Sequence, residues 1–168
     1  GHGSYVGDES RDEPDGRDEC LCPIDYSRVG MILDDEIRGL LQCLNKSKTM
    51  TMVFDCCNSG SASDLCYNLY ERAGKYSMIQ DTKQTQTRGQ VVMISGCRDD
   101  QTSADALIGG NYQGALTNSF LSVVGSNNGL TYETLVRQVR SKLNRDKYSQ
   151  IPCLSSGRLL QLSSLFMV

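Results

Sequence analysis

The amino-acid sequence predicts an α/β fold in which a mostly parallel sheet is flanked by helices. Two short apolar runs, at residues 50–54 and 91–94, have the length and composition of buried strands. Between and after these runs, apolar residues recur with the 3.6-residue period of amphipathic helices. Strands that alternate with helices favour a parallel sheet with helices packed against it.

The first half of the chain contains extended segments, an acidic loop, one helix and one strand. Residues 1–3 and 21–26 are predicted to be extended, and the polar run at 8–19 is predicted to be a loop. A helix is predicted at 35–45, because Asp34 is a good N-cap and is followed by apolar residues at helical spacing, which are Ile37, Leu40, Leu41 and Leu44. A strand at 49–55 follows this helix.

The second half of the chain begins with a polar region at residues 60–89, in which 74–89 are predicted to be a long mobile loop. Four further elements are predicted: a strand at 90–95, helices at 114–124 and 131–145, and a strand near 158–162. The apolar faces of the two helices consist of Leu116, Phe120, Leu121 and Val124, and of Leu135, Val136, Val139 and Leu143. Thr131 is the predicted N-cap of the second helix. The length of 168 residues predicts a single domain, residues 1–168.

Composition excludes several classes of function. The net charge of −3 gives no basic surface for nucleic acid, and no apolar run is long enough to span a membrane. The spacing of the eight cysteines does not suggest a disulfide framework, which favours a reduced, cytoplasmic compartment. Cys20 and Cys22 form a C-x-C motif without a second pair at zinc-site spacing, so no zinc is expected.

The strand at 49–55 ends at Asp55, Cys56 and Cys57, before a small polar turn. Ligands bind at strand ends in open α/β sheets, and backbone N–H groups of such a turn lower a thiol pKa and stabilise an oxyanion. The chain has one histidine, His2, which is the candidate base. Most cysteines are small buried hydrophobes, but the strand end and the histidine favour catalysis here. The residues alone do not choose between Cys56 and Cys57.

These motifs resemble those of type I metacaspases, which are caspase-like cysteine peptidases of clan CD. The resemblance covers almost the whole chain, and it rests on Gly1-His2-Gly3-Ser4, on Phe54-Asp55-Cys56-Cys57-Asn58-Ser59-Gly60-Ser61 and on residues 18–20, 23–26, 32–37, 94–105 and 150–156. His2 and Cys57 are 55 residues apart, close to the spacing of about 50 in caspases. The resemblance implies a caspase/hemoglobinase fold. The chain begins inside the histidine motif and without Met, so we expect an N-terminally truncated fragment whose first strands and any targeting segment are missing.

The resemblance also implies roles for the residues at the strand end. Cys57 is the expected nucleophile and His2 the acid/base, with the backbone N–H groups of Gly3 and Cys57 forming the oxyanion hole. Asp55 is expected to line the S1 pocket and to select Arg or Lys, which a carboxylate pairs with well. The chain departs from the family at Asn58, where histidine is usual, so thiol tuning at this turn is expected to differ.

Four aspartates match the positions that bind calcium in the family, and they are Asp18, Asp34, Asp35 and Asp64. Carboxylate oxygens suit calcium better than a transition metal, although Asp34 also suits a helix cap and acidic loops are usually solvated. The resemblance therefore implies calcium activation. Self-cleavage is a further hypothesis, at one of the basic residues of the predicted loop region, which are Arg72, Lys75, Lys83 and Arg88.

We therefore expect a monomeric, calcium-activated endopeptidase that forms a thioester on Cys57 and whose partners are peptide or protein substrates with a basic P1 residue. A catalytically silent, calcium-responsive regulatory module is the first alternative, and Asn58 together with the expected truncation favours it. A zinc or redox-thiol protein that uses the two cysteine pairs is the second alternative, and metal analysis or thiol counting would identify it.

Overall fold

A computed structural model describes residues 1–7, 16–56, 64–96, 105–108 and 111–166. Its strands are β1 (His2–Gly7), β2 (Arg17–Cys22), β3 (Ile32–Leu33), β4 (Thr49–Phe54), β5 (Tyr67–Arg72), β6 (Lys75–Gln80), β7 (Gln90–Ser95), β8 (Asp105–Ile108), β9 (Asn111–Gly114) and β10 (Cys153–Ser156). Its helices are α1 (Tyr26–Val29), α2 (Asp34–Gln42), α3 (Ala115–Ser126) and α4 (Tyr132–Arg145). No helix in these ranges is both long and apolar enough to span a membrane.

The central feature is a five-stranded sheet in the order β4-β7-β10-β5-β6. Strands β4 and β7 are parallel, and the other three neighbouring pairs are antiparallel. The α/β class with helices flanking a sheet is confirmed, but the sheet is mixed rather than mostly parallel. Two features cause the difference. Strands β5 and β6 form a hairpin, and the two strands of a hairpin are always antiparallel. Strand β10 lies between β7 and β5 and is antiparallel to both.

Helices pack on both faces of this sheet. The larger core lies between the sheet and helices α3 and α4, and Val92 and Ile94 of β7 point into it. Val91 and Met93 point to the opposite face, where they pack with Leu41 of α2. Strand β7 is therefore buried on both faces, as its continuous apolar sequence predicts. Strand β4 lies at an edge of the sheet, with Met50 40% exposed and Val53 36% exposed, so the expected full burial of this strand is wrong.

The helices agree with the predicted periodicity, with small shifts. The helix predicted at 131–145 begins at Tyr132, and its N-cap is Thr131, whose side chain accepts the N–H of Thr134. In α3, Leu116 is buried but Leu121 is 61% exposed, because Val123 takes the inward position instead. Helix α2 begins at Asp34 itself and ends at Gln42, shorter than predicted.

Two strand predictions are wrong. Strand β6 occupies residues 75–80, inside the region that was predicted to be a loop, and it pairs with β5 through a turn at Ala73 and Gly74. Both turn residues have positive φ, at 51° and 75°, which is the conformation of a tight two-residue hairpin. The strand predicted near 158–162 lies instead at Cys153–Ser156.

A separate three-stranded antiparallel sheet, in the order β1-β2-β3, carries the N-terminus. Its register places His2 opposite Cys22, and Cys20 opposite Leu33. Strands β8 and β9 form a third, two-stranded sheet that leads directly into α3. The connection from β9 to α3 passes through Gly114, which brings the start of α3 close to the end of β4.

Candidate active site

The candidate site lies at the carboxyl ends of the parallel strands β4 and β7. Asp55 directly follows β4, and Gly96 directly follows β7. The N–H of Gly96 donates to the carbonyl of Phe54 at 2.8 Å, which fixes the two strand ends side by side. The buried amide of Gln150 donates to the Gly96 carbonyl at 2.9 Å. This edge is where functional groups are expected in an open α/β sheet.

The N-terminal sheet brings His2 to the same edge. The amino group of Gly1 donates to the backbone carbonyl of Asp55 at 3.1 Å, so His2 begins β1 immediately beside the end of β4. The His2 side chain is exposed to solvent. Two residues after Asp55 the sequence reaches Cys57. The structure thus brings the predicted base to the strand end that precedes the predicted nucleophile.

Cys57 and Asn58 lie outside the described residues, so the roles predicted for them stay predictions. Cys56 is described; its side chain is 6% exposed and its thiol is not in a disulfide. A buried position fits the prediction that Cys56 is a neighbour of the nucleophile rather than the attacking thiol. Gly3 lies in β1 next to His2, opposite Leu21, and its oxyanion role also stays a prediction.

The Asp55 carboxylate is held against the start of helix α3. Its Oδ2 accepts hydrogen bonds from the backbone N–H and from the hydroxyl of Thr117, both at 2.7 Å. Gly114 lies directly beneath, where a Cβ atom would come within 2.0 Å of Oδ2. Gly114 occupies the N-cap position of α3 and has no side chain to offer. Asp55 therefore caps this helix from another part of the chain, as a helix N-terminus requires.

Sequence reasoning identified Asp55 but missed Thr117 and Gly114 as its partners. Thr117 is 62 residues away in the sequence, and nothing local indicates the contact. One signal was present. The helix predicted at 114–124 starts with Gly114, Ala115 and Leu116, none of which has a side chain that could cap it, so an acceptor from elsewhere in the fold was to be expected.

Two of the four predicted calcium ligands, Asp18 and Asp34, are nearly excluded from solvent, at 4% and 2% exposure. Oxygens of Asp34 accept the backbone N–H groups of Glu19 at 3.0 Å and of Asp35 at 2.9 Å. Burial raises the pKa of Asp34, and the charges of Asp18 and Asp35 raise it further, whereas the two hydrogen bonds lower it. The structure thus brings Asp18, Asp34 and Asp35 within electrostatic reach of one another.

The fourth predicted ligand, Asp64, interacts with Arg38 on α2. Burial lowers the pKa of Arg38, and the charge of Asp64 raises it. The Arg38 guanidinium also donates to the carbonyl and the hydroxyl of Thr85. Among the described residues, no group of three or more Asp, Glu, His or Cys side chains is arranged so that it could hold a metal ion. The chemistry of the buried carboxylates fits a hard cation, but a four-aspartate calcium site stays a prediction.

The basic residues considered for self-cleavage are all exposed but differ in their surroundings. Arg72 and Lys75 flank the β5–β6 turn and are paired with each other across the hairpin. Lys83 lies in residues 81–89, which contain neither helix nor strand, while Arg88 stands between the buried residues Thr87 and Gly89. An exposed segment without strand pairing is the better protease substrate. Lys83 is therefore the best-placed of the four.

Comparison with known proteins places these features in one family. The caspase-domain model of peptidase family C14 matches residues 1–162. Metacaspase-1 of Mycosarcoma maydis is 34% identical over all of this chain and 52% of its own length. Metacaspase-3 of Trypanosoma brucei brucei is 34% identical over 99% of this chain and 50% of its own length. The chain thus spans about half the length of these relatives.

A solved structure supports the fold. The crystal structure of protein GSU0716 from Geobacter sulfurreducens matches with a TM-score of 0.64, over 99% of this chain and 69% of that one. The sequence identity of 23% is low, so this likeness concerns the fold alone.

Proposed function

Because this chain belongs to the caspase-domain family of cysteine peptidases, we propose that it is the catalytic part of a metacaspase and cleaves peptide bonds after Arg or Lys. The observation that carries the proposal is the contact between Gly1 and Asp55, which places His2 beside the strand end that leads to Cys57. A thiol and an imidazole are the two side chains that cysteine-peptidase chemistry requires.

Catalysis proceeds by acyl transfer. His2 takes the proton of the Cys57 thiol, and the thiolate attacks the scissile carbonyl. The backbone N–H groups of Gly3 and Cys57 stabilise the resulting oxyanion. His2 then returns the proton to the leaving amine, which leaves a thioester on Cys57. Water, activated by His2, hydrolyses the thioester and restores the thiol.

Asp55 gives the site its preference for a basic P1 residue. Its carboxylate is half-buried and held by Thr117, so little reorganisation is needed when a cationic side chain arrives. Arg can form a bidentate, charge-assisted pair with such a carboxylate, and Lys a single strong hydrogen bond. An Asp side chain at P1 would be repelled, which separates this specificity from that of caspases.

Activation by calcium would act through an acidic cluster that consists of Asp18, Asp34, Asp35 and Asp64. Support comes from Asp18 and Asp34, which are both buried, and the charge of Asp18 acts on the Asp34 carboxylate. These two carboxylates, together with Asp35 and Asp64, would hold a divalent cation, which would supply the positive charge that offsets this repulsion. Its contribution is charge neutralisation next to α2 rather than chemistry at the scissile bond.

Hydrolysis of matched fluorogenic peptides that end in Arg, Lys or Asp tests the proposal, with calcium and with chelator. We expect calcium-dependent cleavage after Arg and Lys only. Cys57→Ala should abolish it, whereas Cys56→Ala, the matched control at the neighbouring thiol, should retain most of it. A folded protein that binds calcium but cleaves none of the peptides would instead be the silent regulatory module.

A further inference from the structure

Three sulfur atoms converge on one face of the N-terminal sheet, and they belong to Cys20, Cys22 and Met31. The Sδ atom of Met31 lies 3.3 Å from the Sγ atom of Cys20 and 3.7 Å from that of Cys22. Cys20 and Cys22 are two residues apart in β2, so their side chains lie on the same face of the sheet. The register of β2 and β3 places Met31, the residue before β3, opposite Cys22. Neither the peptidase chemistry nor the acidic cluster uses these side chains.

We propose that Cys20, Cys22 and Met31 form a binding site for a soft monovalent cation of the Cu(I) class. Thiolate and thioether sulfur are the ligands that Cu(I) prefers, whereas zinc sites in proteins use thiolate, imidazole and carboxylate and not thioether. Sequence spacing alone gave only two sulfur ligands, and the fold supplies the third.

The geometry suits such a cation with little rearrangement. A metal with three sulfur ligands at about 2.3 Å in a plane holds those sulfurs about 4 Å apart. The separations of 3.3 and 3.7 Å are slightly shorter, so small side-chain rotations open the site. Cys20 is buried at 2% exposure, while Cys22 and Met31 are half-buried, which leaves a path for the ion from the surface.

Binding must displace protons from the two thiols. Burial and the neighbouring Cys22 raise the pKa of Cys20 to about 11, so without metal this group is a thiol at neutral pH. Cation binding converts each thiol to a metal thiolate and releases one proton to solvent.

The site also adjoins His2. Paired residues of an antiparallel sheet carry their side chains on the same face, and His2 pairs with Cys22. A cation held by Cys22 would crowd the imidazole and lower peptidase activity. This consequence rests on the proposed function, while the binding itself does not.

The test uses the Cys57→Ala protein under reducing conditions, so that the proposed nucleophile does not compete. Cu(I) is titrated in competition with a chromophoric Cu(I) chelator, and Zn(II) is the comparison cation. We expect one tightly bound Cu(I), weakened by about 100-fold or more in Cys20→Ser and Cys22→Ser and by about tenfold in Met31→Leu. Cys43→Ser, at the exposed thiol that directly follows α2, is the matched control and should bind as the parent does.

His2 is the only histidine of the chain, so its imidazole gives a single NMR reporter. Titration with Ag(I), which is diamagnetic and stable in air, should shift this signal in the Cys57→Ala protein and not in the Cys22→Ser derivative of it. Equal Cu(I) affinity in the parent, Cys20→Ser and Cys22→Ser proteins would overturn the site. Zn(II) binding as tight as Cu(I) binding would also overturn the assignment. So would a His2 signal whose chemical shift does not change at saturating Ag(I). None of these binding results depends on whether peptides are cleaved.

Discussion

Asp55 is predicted to have two roles, as the cap of α3 and as the carboxylate that binds a basic P1 side chain. Three substitutions separate them. Asp55→Ala removes the cap and the charge, and Asp55→Asn keeps an acceptor oxygen but removes the charge. Thr117→Val keeps the charge and removes one of the two 2.7 Å hydrogen bonds that hold the carboxylate.

The stability changes follow from helix capping. Loss of an N-cap costs about 0.5–2 kcal/mol, which for a chain of this size lowers the Tm by about 1–8 °C. We expect this for Asp55→Ala and a smaller decrease for Asp55→Asn. Because the hydroxyl of Thr117 donates to Asp55, Thr117→Val should cost little once Asp55 is already Ala.

The activity changes follow from the charge. Removing one partner of a desolvated ion pair costs about 3–5 kcal/mol, so kcat/KM for an Arg peptide should fall by about 100-fold or more in Asp55→Asn. Thr117→Val leaves the charge but loosens it, and a hydrogen bond to a charged group contributes about 1.5 kcal/mol or more. We therefore expect a decrease of about tenfold, mainly through KM.

Thermal denaturation and peptide hydrolysis on the same preparations measure both roles. Thr82→Val, at an exposed threonine after β6, is the matched control and should change neither quantity. Full Arg cleavage by a folded Asp55→Asn protein would refute the specificity role. Additive Tm losses in the Asp55→Ala/Thr117→Val double variant would refute the capping link.

Three further predictions concern other parts of the chain. Burial raises the pKa of Asp34 in the folded state. The stabilising contribution of this group is therefore present below about pH 4 and is lost as the pH rises through the folded-state pKa. Asp34→Asn should remove this pH dependence of the free energy of unfolding, and also any rise in Tm that calcium causes. Gly157→Ala places a Cβ 1.9 Å from the hydroxyl of the buried Thr87, and we expect a loss of about 1–3 kcal/mol in urea unfolding, with Gly125→Ala, in open space, nearly neutral. Incubation with calcium should cut the chain after Lys83, so that N-terminal sequencing finds Gln84, and a cut that persists in Lys83→Gln would contradict this.

The elements that the sequence predicted well are those whose apolar residues follow a regular pattern. Strand β7 is apolar throughout because both of its faces are covered, and α4 carries an N-cap and a regular apolar stripe. The β5–β6 hairpin was missed because most of its side chains are exposed and each strand has only two inward apolar or aromatic side chains, which are Tyr67 and Leu69 in β5 and Tyr76 and Met78 in β6. Strand β10 reads Cys-Leu-Ser-Ser, and its burial comes from its place between β7 and β5 rather than from its composition.

The residues of the candidate site also fall into a predicted group and a missed group. Asp55 and His2 were predicted because each belongs to a local motif. Thr117, Gly114 and Met31 were not, because each acquires its partner only when distant segments pack together. Long-range contacts of single polar or sulfur atoms leave no period and no spacing in a sequence. The fold was therefore more predictable than the contacts that tune the site.

The most direct test of the central claim is covalent labelling with an Arg-based chloromethyl ketone, followed by mass spectrometry of the digested protein. The reagent alkylates a thiolate that lies within reach of a bound basic side chain. We predict one adduct, on Cys57, that requires calcium and is lost in His2→Ala. An adduct on Cys56, or labelling of Cys57 that is equally fast in His2→Ala and in chelator, would contradict the account.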